Sequence, residues 1–139
     1  MKIGFTTGCF DGMHEGHKYF ISRAFDECDL LIIGLNTDKS VRFLKGAGRP
    51  FRSFESRARM LAEYIGDEGV GSIVPYSDEH RWNLIDAFEP DMVLAGWDQV
   101  PQGTHHSIPY RSIPIVRIGR GPDVSTSMQA EWKGQNDAA

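Results

Sequence analysis

Two histidines three apart, His14 and His17, stand among Gly8, Gly12 and Gly16 in TTGCFDGMHEGHKYF (residues 6–20), directly after the chain's first apolar run. Imidazoles so placed can ligate a metal, donate to an anion, or pack on a helix. The zinc reading is the weakest. HEGH lacks the HExxH spacing that puts two ligands four apart with a glutamate base between them, and no third ligand sits at a supporting interval. The segment is not a GxxxxGK[ST] phosphate loop, and it lacks GxGxxG. It offers instead a strand leading into a helix. Gly8 and Gly12 let backbone approach a ligand, and Gly16 leaves room in the first helical turn. His14 and His17 project from one face at the helix N-terminus, whose amides carry positive partial charge. Two donors beside free amides suit a polyphosphate whose charge grows during reaction. The plainer alternative is that His17, in line with Phe20, Ile21 and Ala24, caps a buried stripe.

Such a device needs a scaffold. The chain has 139 residues, enough for one domain that buries about 68% of its unfolded surface. It is 40% hydrophobic and 24% charged, without repeats or low-complexity blocks. A formal net charge of -4 and a pI near 5.7 argue against general nucleic-acid binding, which requires a basic surface. A small anionic ligand stays compatible with that balance. Cys9 and Cys28 are too few for a disulfide framework and read as reduced thiols, and MKIGFTT is neither a signal peptide nor a membrane span. These features predict a cytoplasmic protein with no membrane partner. Residues 1–132 form the expected domain, with KGQNDAA (133–139) a frayed tail.

Periodicity orders the elements. KIGFTT reads as a buried strand, and residues 14–27 as a helix with Phe20, Ile21, Ala24, Phe25 and Cys28 on one face. LLIIGL (30–35) is an apolar run covered on both faces, ended by NTD, a helix N-cap signal. DKSVRFLK is helical, GAGRPFRS (46–53) is loop, and FESRARMLAEYI sets Phe54, Ala58, Leu61, Ala62 and Ile65 on one helical face. On that pattern Arg57 falls on the exposed side. GSIVPY and DMVLAG are strands flanking a short helix, HRWNLIDAF; IPIVRI is a fifth strand before a last helix near STSMQAEW. Strand and helix alternating in this way predict an α/β fold, a single doubly wound Rossmann-like domain with a five-stranded, mostly parallel sheet flanked by helices. Ligands in such sheets bind beyond the C-terminal strand ends, where strand order reverses. The strand ends here carry TTGCFDGMHEGH, GLNTD, AGWD and GRGPDVSTS. Asp11 in the first of these either accepts a hydrogen bond from a substrate or holds the loop. Ser125 and Thr126 in the last can cap the final helix and present hydroxyls and amides to phosphates.

GCFDGMHEGH resembles the GxFDxxHxGH signature of the cytidylyltransferase-like nucleotidyltransferases, and RGPDVSTS (120–127) is similar to their RTxGISTT segment. Arg120, Ser125, Thr126 and Ser127 occupy matching positions. Gly121 and Asp123 replace the usual threonine and glycine, which implies an altered loop. IGLNTDKSVRFLKGAGRPFRSFESRARML resembles the heptose-1-phosphate adenylyltransferase domain of ADP-heptose synthase, and SFESR resembles glycerol-3-phosphate cytidylyltransferase. The likeness runs over roughly residues 3–128.

The resemblance implies a HUP-type fold and attack by an acceptor oxygen on the α-phosphorus of an NTP, ATP or CTP, with pyrophosphate released. No protein nucleophile is needed, so positioning and charge stabilisation are what the protein adds. His14, His17, Lys45 and Arg120 are the implied catalytic residues, with Lys45 reaching the phosphates from a mobile loop. Gly8, Cys9, Phe10, Asp11, Gly96, Ser125, Thr126 and Ser127 are implied to bind the nucleotide, the first three through backbone. Asp38, Arg57, Trp97, Asp98 and Arg111 are implied on the acceptor side. Mg²⁺ would be bound mainly by triphosphate oxygens and waters, with no protein cage. A phosphorylated sugar or polyol is the implied acceptor, and a homodimer the implied assembly. No kinase half accompanies the motifs, unlike many ADP-heptose synthases. Two other readings compete: a nucleotide-binding regulator without turnover, and a flavin or pantetheine adenylyltransferase.

Overall fold

A computed structural model describes residues 1–13, 15–96 and 113–119. Strand β1 (Ile3–Gly8) leads into helix α1 (Glu15–Glu27), and β2 (Leu30–Asn36) into α2 (Asp38–Lys45). After the 46–53 loop come α3 (Phe54–Glu68), β3 (Val70–Tyr76), a 3-10 turn at Asp78–His80 and α4 (Arg81–Phe88). Strands β4 (Met92–Gly96) and β5 (Ile115–Ile118) complete one sheet in the order β3-β2-β1-β4-β5. Every described pairing is parallel. The expected α/β architecture is thus observed, and the helix predicted near residues 125–132 lies outside the described residues.

Strand β2 lies between β1 and β3, which explains its unbroken apolar run. Leu31, Ile33 and Leu35 enter a core with Phe20, Ile21 and Ala24 of α1 and Leu61 and Ile65 of α3. Ile32 faces the other way, into a second core with Phe5, Tyr76, Ile85 and Val93. Alternation along one strand therefore serves both faces, and each fully buried Leu or Ile contributes about 1.5–3 kcal/mol. Pro75 is tolerated because β3 is an edge strand, where a missing N–H leaves no neighbour unsatisfied. Thr37 and Ser53 cap α2 and α3 by accepting from the amides of Ser40 and Ser56, each at 3.2 Å.

The expected stripes pack against the core, Phe25, Phe54 and Ala58 only in part, and are corrected at Ala62 and Arg57. On α3 the buried line is Arg57, Leu61 and Ile65, while Ala62 is exposed and Phe54 and Ala58 are only half-buried. Polarity-based periodicity rotated that face because it treated an arginine as solvent-facing. Phe25 on α1 is likewise half-buried, near the sheet edge, where an added Cβ at Gly69 would meet its ring at 2.7 Å.

Strand order reverses beside β1: the chain moves from β1 to β2 and β3, then returns past β1 to β4 and β5. The crevice between the C-terminal ends of β1 and β4 is the switch point, where such sheets bind ligands.

Candidate active site

The switch point receives the HEGH turn from β1 and Gly96 from the end of β4. Gly96 is buried, and Arg117 of β5 reaches its carbonyl at 3.5 Å. His17 is in the first turn of α1 and 6% exposed. Its Nδ1 lies 2.9 Å from the Gly12 carbonyl, and because a carbonyl only accepts, Nδ1 carries the proton. Its ring packs at a tilt on Phe10, centroids 5.2 Å apart. The histidine is thus buried beside the core with its ring orientation fixed, as the plainer reading of His17 expects. Gly12, at φ 141°, supplies a backbone conformation that a side chain would oppose.

Gly8 has a different reason from the one its sequence suggested. A Cβ there would stand 2.7 Å from the Phe10 ring, so the close approach is made by the protein's own aromatic. Phe10 adopts φ 46°, a sparsely populated conformation for a bulky residue, and its ring is 5% exposed in the core. Cys9 is fully buried, and its carbonyl accepts from Arg57 at 2.8 Å rather than standing open to a ligand.

Arg57 is the largest revision. It is 0% exposed, opposite to its sequence-based placement. Its guanidinium donates to the Cys9 carbonyl, to Asp38 Oδ1 at 2.7 Å and to the Arg52 carbonyl at 3.0 Å. A guanidinium can be buried when its donors find acceptors, and here three elements provide them. Asp38, the first residue of α2, has a side chain 36% exposed and pairs with Arg57, so it is part of this lattice as well as facing the cleft end of β2.

Asp11 holds the loop. Its side chain is 5% exposed, and it accepts from the Phe51 amide at 2.7 Å, the Arg52 amide at 2.9 Å and Arg49 Nε at 3.2 Å. Arg49 in turn lies over the Phe51 ring at 4.3 Å. Neither Arg49 nor Arg52 was singled out in the sequence. Partners 38 to 41 residues away leave no local pattern, and the glycines and proline of GAGRPFRS marked only a loop. Lys45 is the last residue of α2, not part of the loop, which begins at the C-cap Gly46.

Charge converges on the end of β1. Burial raises the Cys9 thiol pKa above its ordinary value, against which the positive charges of Lys45, Arg57 and Arg49 act. Arg57 and Arg49 are themselves paired with the carboxylates of Asp38 and Asp11. The amides of a helix N-terminus carry positive partial charge, which suits a polyanion. Among the described residues no group of three or more His, Cys, Asp or Glu side chains could hold a metal ion. No described helix is long and apolar enough to cross a membrane.

Of the predicted site residues, Gly8, Cys9, Phe10, Asp11, His17, Asp38, Lys45, Arg57 and Gly96 lie at or beside the C-terminal ends of β1, β2 and β4. His14, Trp97, Asp98, Arg111, Arg120, Ser125, Thr126 and Ser127 lie outside the described residues.

Comparison with known proteins agrees with this geometry. The family model described as cytidylyltransferase-like matches residues 5–129. A bifunctional protein HldE of Wolinella succinogenes is 46% identical over 124 residues, 89% of this chain and 26% of the relative. The one from Rhodopseudomonas palustris is 35% identical over 133 residues, 94% of this chain and 26% of its own length. The chain thus spans about a quarter of these curated relatives. Among solved structures, a lipopolysaccharide core biosynthesis protein of Thermoplasma volcanium superposes with a TM-score of 0.70 at 23% identity, covering 85% of this chain and 96% of that one. A bifunctional NMN adenylyltransferase/ADP ribose pyrophosphatase of Francisella tularensis gives a TM-score of 0.60 at 15% identity, covering 95% and 41%. At those identities the likeness is one of fold. With a family model spanning nearly the whole sequence, and its histidine segment at the switch point of a parallel sheet, the chain belongs to the cytidylyltransferase-like family.

Proposed function

We propose that this chain is a nucleotidyltransferase that moves AMP or CMP from an NTP to a phosphorylated sugar or polyol, most like a heptose-1-phosphate adenylyltransferase. An oxygen of the acceptor attacks the α-phosphorus, the bond from that phosphorus to the α,β-bridging oxygen breaks, and pyrophosphate leaves. The observation that carries this reading is the position of His17. It stands in the first turn of α1 at the switch point, its ring fixed by the Gly12 carbonyl and Phe10. The family match and the HldE relatives support the reaction class.

In this mechanism the protein binds and orients. The α1 N-terminal amides and His17 stabilise charge that grows on the α-phosphate, together with His14. Because Nδ1–H is held by Gly12, Nε2 is the nitrogen that meets phosphate oxygen, and it donates in the imidazolium form. Lys45 adds positive charge from the end of α2, and Arg120, Ser125, Thr126 and Ser127 close the β,γ-phosphate side. Asp11 and Asp38 are committed to arginines and amides, which disfavours a protein cage for a cation. Mg²⁺ accordingly enters with the triphosphate as part of the substrate. A cytoplasmic homodimer belongs to the same reading.

Pyrophosphate release with ATP or CTP, each paired with heptose 1-phosphate or glycerol 3-phosphate, tests it. Release with ATP and heptose 1-phosphate is expected. Tight NTP binding with no release from any pair would overturn the enzyme reading and favour a regulator.

A further inference from the structure

Loop 46–53 is short, glycine-rich at its start, and carries Phe51 at 75% exposure, yet its backbone is fastened. The fastening comes from one carboxylate in the turn that precedes His17. Asp11 takes both of its accepted amides from consecutive residues, Phe51 and Arg52, on its two oxygens, and Arg49 Nε shares Oδ2. A carboxylate receiving two amides and a guanidinium in a protected position has little capacity left for a substrate. From the other side Arg57 grips the Arg52 carbonyl and, with a second nitrogen, the Cys9 carbonyl two residues before Asp11. The loop is thereby joined to the end of β1 through both backbone polar groups of a single residue, Arg52.

We propose that Asp11 is a positioning residue that locks loop 46–53 and its Arg49 to the His17-bearing turn, setting acceptor affinity, and is not a group that contacts nucleotide. This rests on the transferase reading for its kinetic consequence alone. The loop starts at the residue after Lys45 and ends at the N-cap of the helix bearing Arg57. Releasing it loosens Arg49 and the Arg52 carbonyl that Arg57, implied on the acceptor side, holds, while the α1 N-terminus and Gly12–His17 bond stay in place.

The test combines hydrogen exchange with kinetics on D11A and D11N in the intact chain. The Phe51 and Arg52 amides should exchange roughly 10-fold faster or more in D11A, the loss expected when hydrogen bonds to a charged acceptor are removed. D11N keeps one carbonyl acceptor and should give an intermediate rate, which also covers the case of a poorly folded D11A. NTP affinity should stay within about 2-fold, whereas the acceptor KM should rise roughly 10-fold with a smaller change in kcat. Unchanged amide exchange in both variants, or an NTP affinity that falls while acceptor KM holds, overturns the proposal. If wild-type chain releases no pyrophosphate, the transferase reading fails by that result. Amide exchange and NTP affinity then decide the clamp separately.

Discussion

Asp11 and Arg57 hold the backbone of Arg52 on either side of its Cα, the carboxylate accepting the N–H at 2.9 Å and the guanidinium donating to the C=O at 3.0 Å. Opposite charges from β1's end and from α3 thus hold the two backbone polar groups of one residue. The same two side chains reach onward, Asp11 to Arg49 and Arg57 to Asp38, so four charges, the Arg52 backbone and the Cys9 carbonyl form one lattice beneath the site.

Replacing Arg57 should unsettle that lattice more than a surface arginine would. R57L leaves the Cys9 and Arg52 carbonyls and Asp38 without their donor, at a cost of about 3 kcal/mol, discounted because Asp38 is partly exposed. Thermal melting should fall by on the order of 10 °C. R57K, which reaches fewer acceptors, should lose less. A melt of R57L within a degree of wild type would mean that the buried guanidinium carries no net stability.

Gly8 to alanine tests the aromatic contact. The added Cβ meets Phe10 at 2.7 Å, and Phe10 cannot simply swing away because its ring is buried against His17. G8A should cost about 1–3 kcal/mol in denaturant unfolding. Turnover should fall with it, since the imidazole loses its backing.

His17 can be divided into its two jobs. H17A should lower turnover by about 10²-fold or more if the ring donates to the transition state. Burial and the Gly12 bond add a stability loss of about 1 kcal/mol or more, which a simple helix-surface histidine would not show. H17N places an amide N–H near the old Nδ1 and should melt closer to wild type while remaining as slow as H17A. An asparagine variant with near wild-type turnover would remove His17 from the chemistry.

Stability should decline on the alkaline side. Burial raises Cys9 and Cys28 above the ordinary thiol value of 9.0, and burial followed by Glu68 raises Tyr64 from 10.0 to about 12. Each group binds its proton more tightly folded than unfolded. The contribution is therefore complete below pH 9 and is lost as pH climbs toward 12. Urea midpoints measured from pH 7 to 11 should fall above pH 9. Both thiols should also resist alkylation at neutral pH until the chain is unfolded.

The sequence by itself determined what local chemistry can write. Alternating apolar runs and helical stripes specified the strands, their parallel order and four helices, because backbone periodicity acts on neighbours. Gly-rich HEGH after β1 and the NTD cap after β2 put candidate residues at strand ends for the same reason. Only tertiary structure decided that Arg57 is buried, that Asp11 fastens a loop 40 residues away, and that Gly8 yields to Phe10. A polar side chain's burial depends on acceptors brought by other elements. Arg57 found its three at Cys9, Asp38 and Arg52, positions separated by up to 48 residues, which no window along the chain contains.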